Sequence, residues 1–217
     1  MSSETGHPPV IVVTGLPRSG TSLMMQMLAA AGVPILSDGA RPPDEDNPQG
    51  YFELQAAKSI ATDASWLTGA SGQAVKIVVP LLRHVPPTLP CRVIWMQRSL
   101  DEVLSSQAAM LARSGGEAPP HDPVLRNAFD RQSQALRSEL ARRQTPTHFV
   151  AFRDAIEDPR RVANSACDFV GGTLDRRAAA STVEPGLYRQ RLDTRPTFSD
   201  QPPSATDERH EPKTSGC

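Results

Sequence analysis

Apolar positions along the chain keep two different rhythms, and they alternate. Val10-Ile11-Val12-Val13 is an unbroken β-branched run, the pattern of a short strand buried on both faces. Residues 74–79 (AVKIVV) and 92–97 (RVIWMQ) repeat it, and 148–152 (HFVAF) make a fourth. Between these runs the spacing turns helical. Residues 22–31 are rich in Leu, Met and Ala and stop at Gly32, with Pro34 beyond. Residues 51–67 predict a second helix. Ser99-Leu-Asp-Glu102 reads as a capping box that opens a third, running to about Arg113. Asp122-Pro123 reads as an N-cap and first helical residue. Leu125, Phe129, Gln132, Leu136 and Leu140 follow at helical spacing, which turns Arg126, Arg137 and Arg142 mostly outward. Asp158-Pro159 opens a last helix ending at Gly171-Gly172, while 37–50 and 114–121 are loop by composition.

Strands alternating with helices imply a parallel sheet covered on both faces. The expected fold is therefore a three-layer α/β/α domain of the P-loop NTPase-like kind. In such sheets ligands bind beyond the carboxyl ends of the strands.

The totals narrow the picture. A chain of 217 residues suits one α/β domain, placed here at 9–191, after a flexible N-terminus at 1–8. From about Leu192 the sequence is polar and Pro-rich, so 192–217 is expected to be a disordered tail. A net charge of −1 calls for neither nucleic acid nor an acidic membrane surface, so any anion site must be local. Cys91, Cys167 and Cys217 form no CxxC pair and are odd in number, which fits a reducing, cytoplasmic setting. The opening MSSETGHPPV has no basic region followed by an apolar run, so it does not read as a signal peptide. The longest apolar stretch, 23–36, is broken by Gln26, Gly32 and Pro34 and falls short of the roughly 20 residues a bilayer needs.

The first strand runs into Thr14-Gly15-Leu16-Pro17-Arg18-Ser19-Gly20-Thr21-Ser22, a GxxxxGTS loop close in spacing to the Walker A pattern. Glycines let such a loop fold tightly, its N–H groups point into one concavity, and the helix N-terminus adds partial positive charge. Ser19, Thr21 and Ser22 offer hydroxyls, and Arg18 a fork-shaped cation suited to phosphate or sulfate oxygens. Thr21 stands where a nucleoside-triphosphate enzyme keeps its lysine, and the strand ending at Gln97 offers no carboxylate for magnesium. A donor with a single 5′-phosphate carrying a sulfuryl group has less charge to neutralise, and Arg18 with backbone donors suffices for it without metal.

The run GLPRSGTS resembles the 5′-phosphosulfate-binding loop of the sulfotransferase family. The family also has a strand ending in Arg with Ser eight positions later, both binding the 3′-phosphate of the donor. Arg98 and Ser106 match that spacing, with Ser105 as runner-up for the hydroxyl. Taken alone, the pair reads better as an arginine bonded to Asp101 or Glu102 and a serine tolerated in a helix; the loop before it shifts the balance. Asn47-Pro48-Gln49-Gly50-Tyr51-Phe52-Glu53 is similar to an NPxGYxE segment of bacterial relatives, and Asp158-Pro159 with Phe169-Val170-Gly171 to their DP…FLG helix. The resemblance spans about 9–190. It implies transfer of a sulfuryl group from 3′-phosphoadenosine 5′-phosphosulfate (PAPS) to a hydroxyl or amine, with no metal. Gly15, Pro17, Arg18, Ser19, Gly20, Thr21, Ser22, Arg98 and Ser106 would then contact the donor.

Many cytosolic relatives take their base from the His of a KxHxP segment. Here Lys76 matches, but Val78 stands where that His would be. Glu53 is the best candidate base, with a plain surface carboxylate as the competing reading, and His84 comes next. Arg18 and Lys76 are the candidate cations for the transferred group or the leaving oxygen. The family's C-terminal Arg-Lys-Gly is replaced by PGLYRQR, in which Arg189 or Arg191 would substitute. The acceptor is expected to be a small molecule or carbohydrate, and sugar, lipid, phenol, polyketide and peptide hydroxyls all fit. A P-loop small-molecule kinase and a non-catalytic nucleotide-binding relative are the competing functions.

Overall fold

The unbroken apolar run at the start of the chain becomes the middle of a sheet. In the computed structural model, which describes residues 7–44, 47–113, 115–116 and 122–187, β1 (Val10–Gly15) is buried along its whole length. It pairs in parallel with β2 (Ala74–Lys76) on one side and β3 (Cys91–Gln97) on the other. A fourth strand, β4 (Thr147–Ala151), pairs in parallel with β3. Among the described residues the sheet order is β2-β1-β3-β4.

Helices cover both faces, as the alternation requires. Successive residues of a strand point to opposite sides, so Val10 and Val12 of β1 join one core while Ile11 and Val13 join the other. The first core is completed by α3 (Val79–Leu82), α4 (Leu100–Arg113) and α5 (Pro123–Arg142), through Leu82, Val103, Phe129 and Leu140. The second is completed by α1 (Thr21–Ala30), α7 (Pro159–Val170) and α8 (Arg176–Ser181), through Met24, Leu28, Val162 and Ala179. This is the three-layer α/β/α arrangement with a parallel central sheet.

Residues 51–67 do not form one helix. Only α2 (Gln55–Lys58) is α-helical, and a 3₁₀ turn follows at Ser65–Gly69. Two local causes are visible. Phe52 adopts a left-handed backbone (φ 52°), which a helix does not admit. Thr62 donates to the Ser59 carbonyl at 2.9 Å, and the Asp63 carboxylate accepts from the Ser65 N–H at 2.9 Å. Such side-chain bonds offer the backbone an alternative to the helical ladder.

Three smaller departures have similar origins. The second strand ends at Lys76, because Pro80 in the first turn of α3 suits a helix start better than a strand. Phe152 opens α6 (Phe152–Glu157) instead of closing β4. Arg137 is half-buried, with its guanidinium 5.6 Å from the Trp95 ring and 5.2 Å from that of Phe149; its long stem covers apolar surface that a strictly amphipathic reading leaves bare. No helix among the described residues is long and apolar enough to cross a membrane. The sequence-based expectations for the ends, 1–6 and 188–217, lie outside the described residues.

Candidate functional site

At the carboxyl edge of the sheet, the segments that follow β1, β2, β3 and β4 meet around one cavity of about 310 Å³. Pro17, Arg18, Gly20, Thr21 and Ser22 come from the loop and helix start after β1. Lys76 and Val78 come from the end of β2, Arg98 and Ser106 from beyond β3, and Phe152 from beyond β4.

The loop is built by its backbone. The Ser19 N–H donates to the Leu16 carbonyl at 3.1 Å and closes a tight turn. Gly20 is the N-cap of α1 at φ 98°, and no side chain caps that helix. The N–H groups of the first helical turn have no carbonyl behind them in the helix, and Gly20, Thr21 and Ser22 at this end of α1 line the cavity. Gly20 is needed for a second reason: a Cβ at this position would overlap the Phe152 ring. Gly20→Ala is therefore expected to cost about 1–3 kcal/mol, combining left-handed strain with overpacking. A urea-unfolding midpoint measured for the variant checks this.

The two arginines reach into each other's motifs. The Arg18 Nε donates to the Ser106 hydroxyl at 3.0 Å. The Arg98 Nη1 donates to the Arg18 carbonyl at 2.9 Å, and its Nε pairs with the Glu102 carboxylate at 3.0 Å. The Arg98 guanidinium also lies over the Phe152 ring, 4.6 Å from its centroid. The pairing with Glu102 and the placement beside the loop therefore coexist: one edge of the guanidinium meets Glu102, another meets the loop. Ser106 is 1% exposed and reaches the cavity. Ser105, one residue away on α4, is not in its lining.

Across the cavity lining, charge gathers around the 47–53 segment. The buried Lys76 ammonium donates to the Tyr51 carbonyl and to the Ser22 hydroxyl, the latter at 3.4 Å. Burial pulls its pKa down to about 8, against the raising effect of Glu53, 3.8 Å away. Burial also pushes the Glu53 carboxyl up, but Lys58, Lys76 and Arg41 outweigh it and leave its pKa below the ordinary value. Tyr51 is buried, and its hydroxyl donates to both carboxylate oxygens of Asp44, at 2.7 and 2.8 Å. Burial first, and that hydrogen bond second, push the phenol up to about 12.

Of the positions singled out from the sequence, Arg18, Glu53, Lys76, Pro17, Gly20, Thr21, Ser22, Arg98 and Ser106 share this cavity. Gly15 and Ser19 do not line it. Gly15 sits beneath the loop, where a Cβ would come within 2.8 Å of the Met96 carbonyl. The buried Ser19 hydroxyl has no hydrogen-bond partner among the described residues and lines a cleft of about 190 Å³ behind the loop. His84 is also outside the cavity lining, and its Nε2 accepts from the Arg83 Nε at 3.1 Å. Arg189 and Arg191 lie outside the described residues. Arg41, Phe152, Thr182 and Glu184 line the cavity unannounced. Arg41 is in a Pro-rich loop with no periodicity, and Phe152 reads as the end of a strand. Neither carries a sequence signal of its own.

The sulfotransferase domain of the Synechococcus PCC 7002 olefin synthase superposes on 91% of this chain and 93% of its own, with a TM-score of 0.52 and 17% identity. The sulfotransferase domain from the curacin biosynthetic pathway does so over 88% and 94%, with a TM-score of 0.50 and 16% identity. The chain has a sulfotransferase fold. Neither a family model nor a curated protein sequence matches it. In this sulfotransferase fold the cavity lies where a doubly wound parallel sheet places its ligands, beyond the carboxyl ends of the central strands.

Proposed function

We propose that this chain is a sulfotransferase that moves a sulfuryl group from PAPS to a hydroxyl, or an amine, of a small molecule or carbohydrate, without a metal. The observation that carries the reading is the shared cavity. It joins an uncapped helix N-terminus to Arg18, Arg98 and Ser106, with the Arg18 Nε on the Ser106 hydroxyl and Arg98 on the Arg18 carbonyl. A helix N-terminus and two arginines along one cavity suit a donor that carries a phosphosulfate and a second phosphate. The donor set of amides, hydroxyls and arginines is the chemistry those groups need.

In the transfer, the acceptor oxygen attacks sulfur, the bond from sulfur to the phosphate oxygen breaks, and adenosine 3′,5′-bisphosphate departs. Arg18, the loop amides and Lys76 stabilise the charge that develops on the transferred and leaving oxygens. Arg98 and Ser106 hold the 3′-phosphate and fix the register of the donor. Glu53, kept ionised by its cation neighbours, accepts the proton of the acceptor hydroxyl. A cytoplasmic setting fits the free thiols of Cys91 and Cys167.

Calorimetric titration tests the reading. Adenosine 3′,5′-bisphosphate is expected to bind without metal, and more tightly than ATP with magnesium. The reverse order points to a kinase. Binding of the bisphosphate without transfer of sulfur-35 from labelled PAPS to any of a panel of hydroxyl compounds points to a non-catalytic nucleotide-binding module. Glu53→Gln is expected to lower turnover by about 10²–10⁴-fold with donor affinity retained. Unchanged turnover in that variant removes Glu53 as the base.

A further inference from the structure

Glu53 sits inside a ring of three cations from three different elements. Its Oε1 accepts from the Arg41 Nη1 at 3.2 Å and lies 3.8 Å from the Lys76 Nζ. Its Oε2 pairs with the Lys58 Nζ at 3.0 Å. These three do not hold it equally. Lys58 rises from α2 with its side chain 54% exposed, so solvent screens and loosens its pairing. Lys76 is buried but divides its ammonium among the Tyr51 carbonyl, the Ser22 hydroxyl and Glu53.

Lys76 also lies over the Tyr51 ring, 5.8 Å from its centroid, but Arg41 is braced there at closer range. Its guanidinium lies over the Tyr51 ring, 3.4 Å from the centroid, and its Nη2 is 3.7 Å from the Asp44 carboxylate. Tyr51 is itself held, being only 5% exposed with its hydroxyl bonded to Asp44. Stacking on an aromatic face while hydrogen-bonding in the guanidinium plane is something an arginine can do and a lysine cannot.

We propose that Arg41 is a positioning residue for the transfer site: stacked on Tyr51 and tied to Asp44, it holds the Glu53 carboxylate in place at the cavity wall. Its part in catalysis rests on Glu53 being the proton acceptor proposed above. Its part in holding Glu53 does not, and can be read without any turnover. The groups facing Glu53 are Arg41 from the loop before it, Lys58 from α2 and Lys76 from β2; Asp44 faces Arg41. All three cations favour the ionised carboxylate, and burial opposes them. Removing one cation raises the pH at which the carboxylate takes up a proton.

The test is a carbon-13 NMR titration of the full chain carrying carboxyl-labelled glutamate, with the Glu53 signal assigned by its loss in Glu53→Gln. In Arg41→Met the Glu53 midpoint is expected to move to higher pH, and Arg41→Lys is expected to recover only part of the change. Both variants are expected to melt close to the parent, since Arg41 is 39% exposed in its side chain. In transfer assays the acid limb of the kcat profile is expected to move to higher pH in Arg41→Met, with the KM for donor unchanged. An unmoved Glu53 midpoint in Arg41→Met overturns the proposal, as does an Arg41→Lys variant indistinguishable from the parent. If adenosine 3′,5′-bisphosphate fails to bind the parent chain, the sulfotransferase reading falls, while the NMR titration still decides the role of Arg41.

Discussion

Arg18→Ala is expected to reduce transfer by about 10²–10³-fold and to weaken donor binding by about 1.5–3 kcal/mol. The argument starts from where the residue stands. Arg18 is the loop's own cation, it lines the cavity, and it reaches Ser106 on α4. A guanidinium placed there meets charge that grows on the phosphosulfate as the bond to sulfur breaks, so the loss falls more on turnover than on affinity. Backbone strain does not confuse the comparison. Arg18 already adopts φ 69°, and an alanine there bears the same left-handed penalty, so most of the change belongs to the side chain. Arg18→Lys is the useful companion: it keeps the charge, loses the planar fork, and is expected to fall between the two. Single-turnover transfer of labelled sulfate, with affinity for adenosine 3′,5′-bisphosphate measured separately, divides the two effects. Full turnover in Arg18→Ala removes this residue from the site.

Arg98→Ala is expected to fail in two ways at once. Glu102 is 4% exposed, and Arg98 is its ion-pair partner at 3.0 Å. Removing one member of a buried pair weakens the surroundings of the other charge, at a cost of up to about 3–5 kcal/mol. For a domain of this size that lowers the melting temperature by on the order of 10 °C. The same change removes the cation proposed for the 3′-phosphate. A double variant, Arg98→Met with Glu102→Leu, separates the effects. Removing both charges is expected to recover most of the stability. It cannot recover preference for the 3′,5′-bisphosphate over adenosine 5′-phosphate, which is expected to drop by about 10–100-fold in both variants. A double variant that keeps the preference places the 3′-phosphate elsewhere.

The order of strands and helices was legible because it is written in short, strong patterns. Four apolar runs became four strands, and Asp122-Pro123 and Asp158-Pro159 each begin a helix as an N-cap with proline behind it. The tight turn between β1 and α1 was legible for a different reason: its glycines are forced by geometry, as Gly20 against Phe152 illustrates. What escaped was set by contacts between residues far apart in sequence. Residues 51–67 carry helix-forming side chains, yet Phe52 turns left-handed where Tyr51 buries itself beneath Arg41. The bracing of Glu53 by Arg41 depends on a loop whose composition announces only a loop. Ser19 shows the converse limit: a hydroxyl inside the most recognisable motif points away from the cavity the motif builds.

The hydrogen bonds that cross between the two arginine motifs, Arg98 to the Arg18 carbonyl and Arg18 to the Ser106 hydroxyl, tie the loop after β1 and the start of α4 into a single mechanical part. Neither segment can shift without dragging the other. If the cavity takes the nucleotide proposed above, that rigid pairing favours one spacing of charges on it over any other.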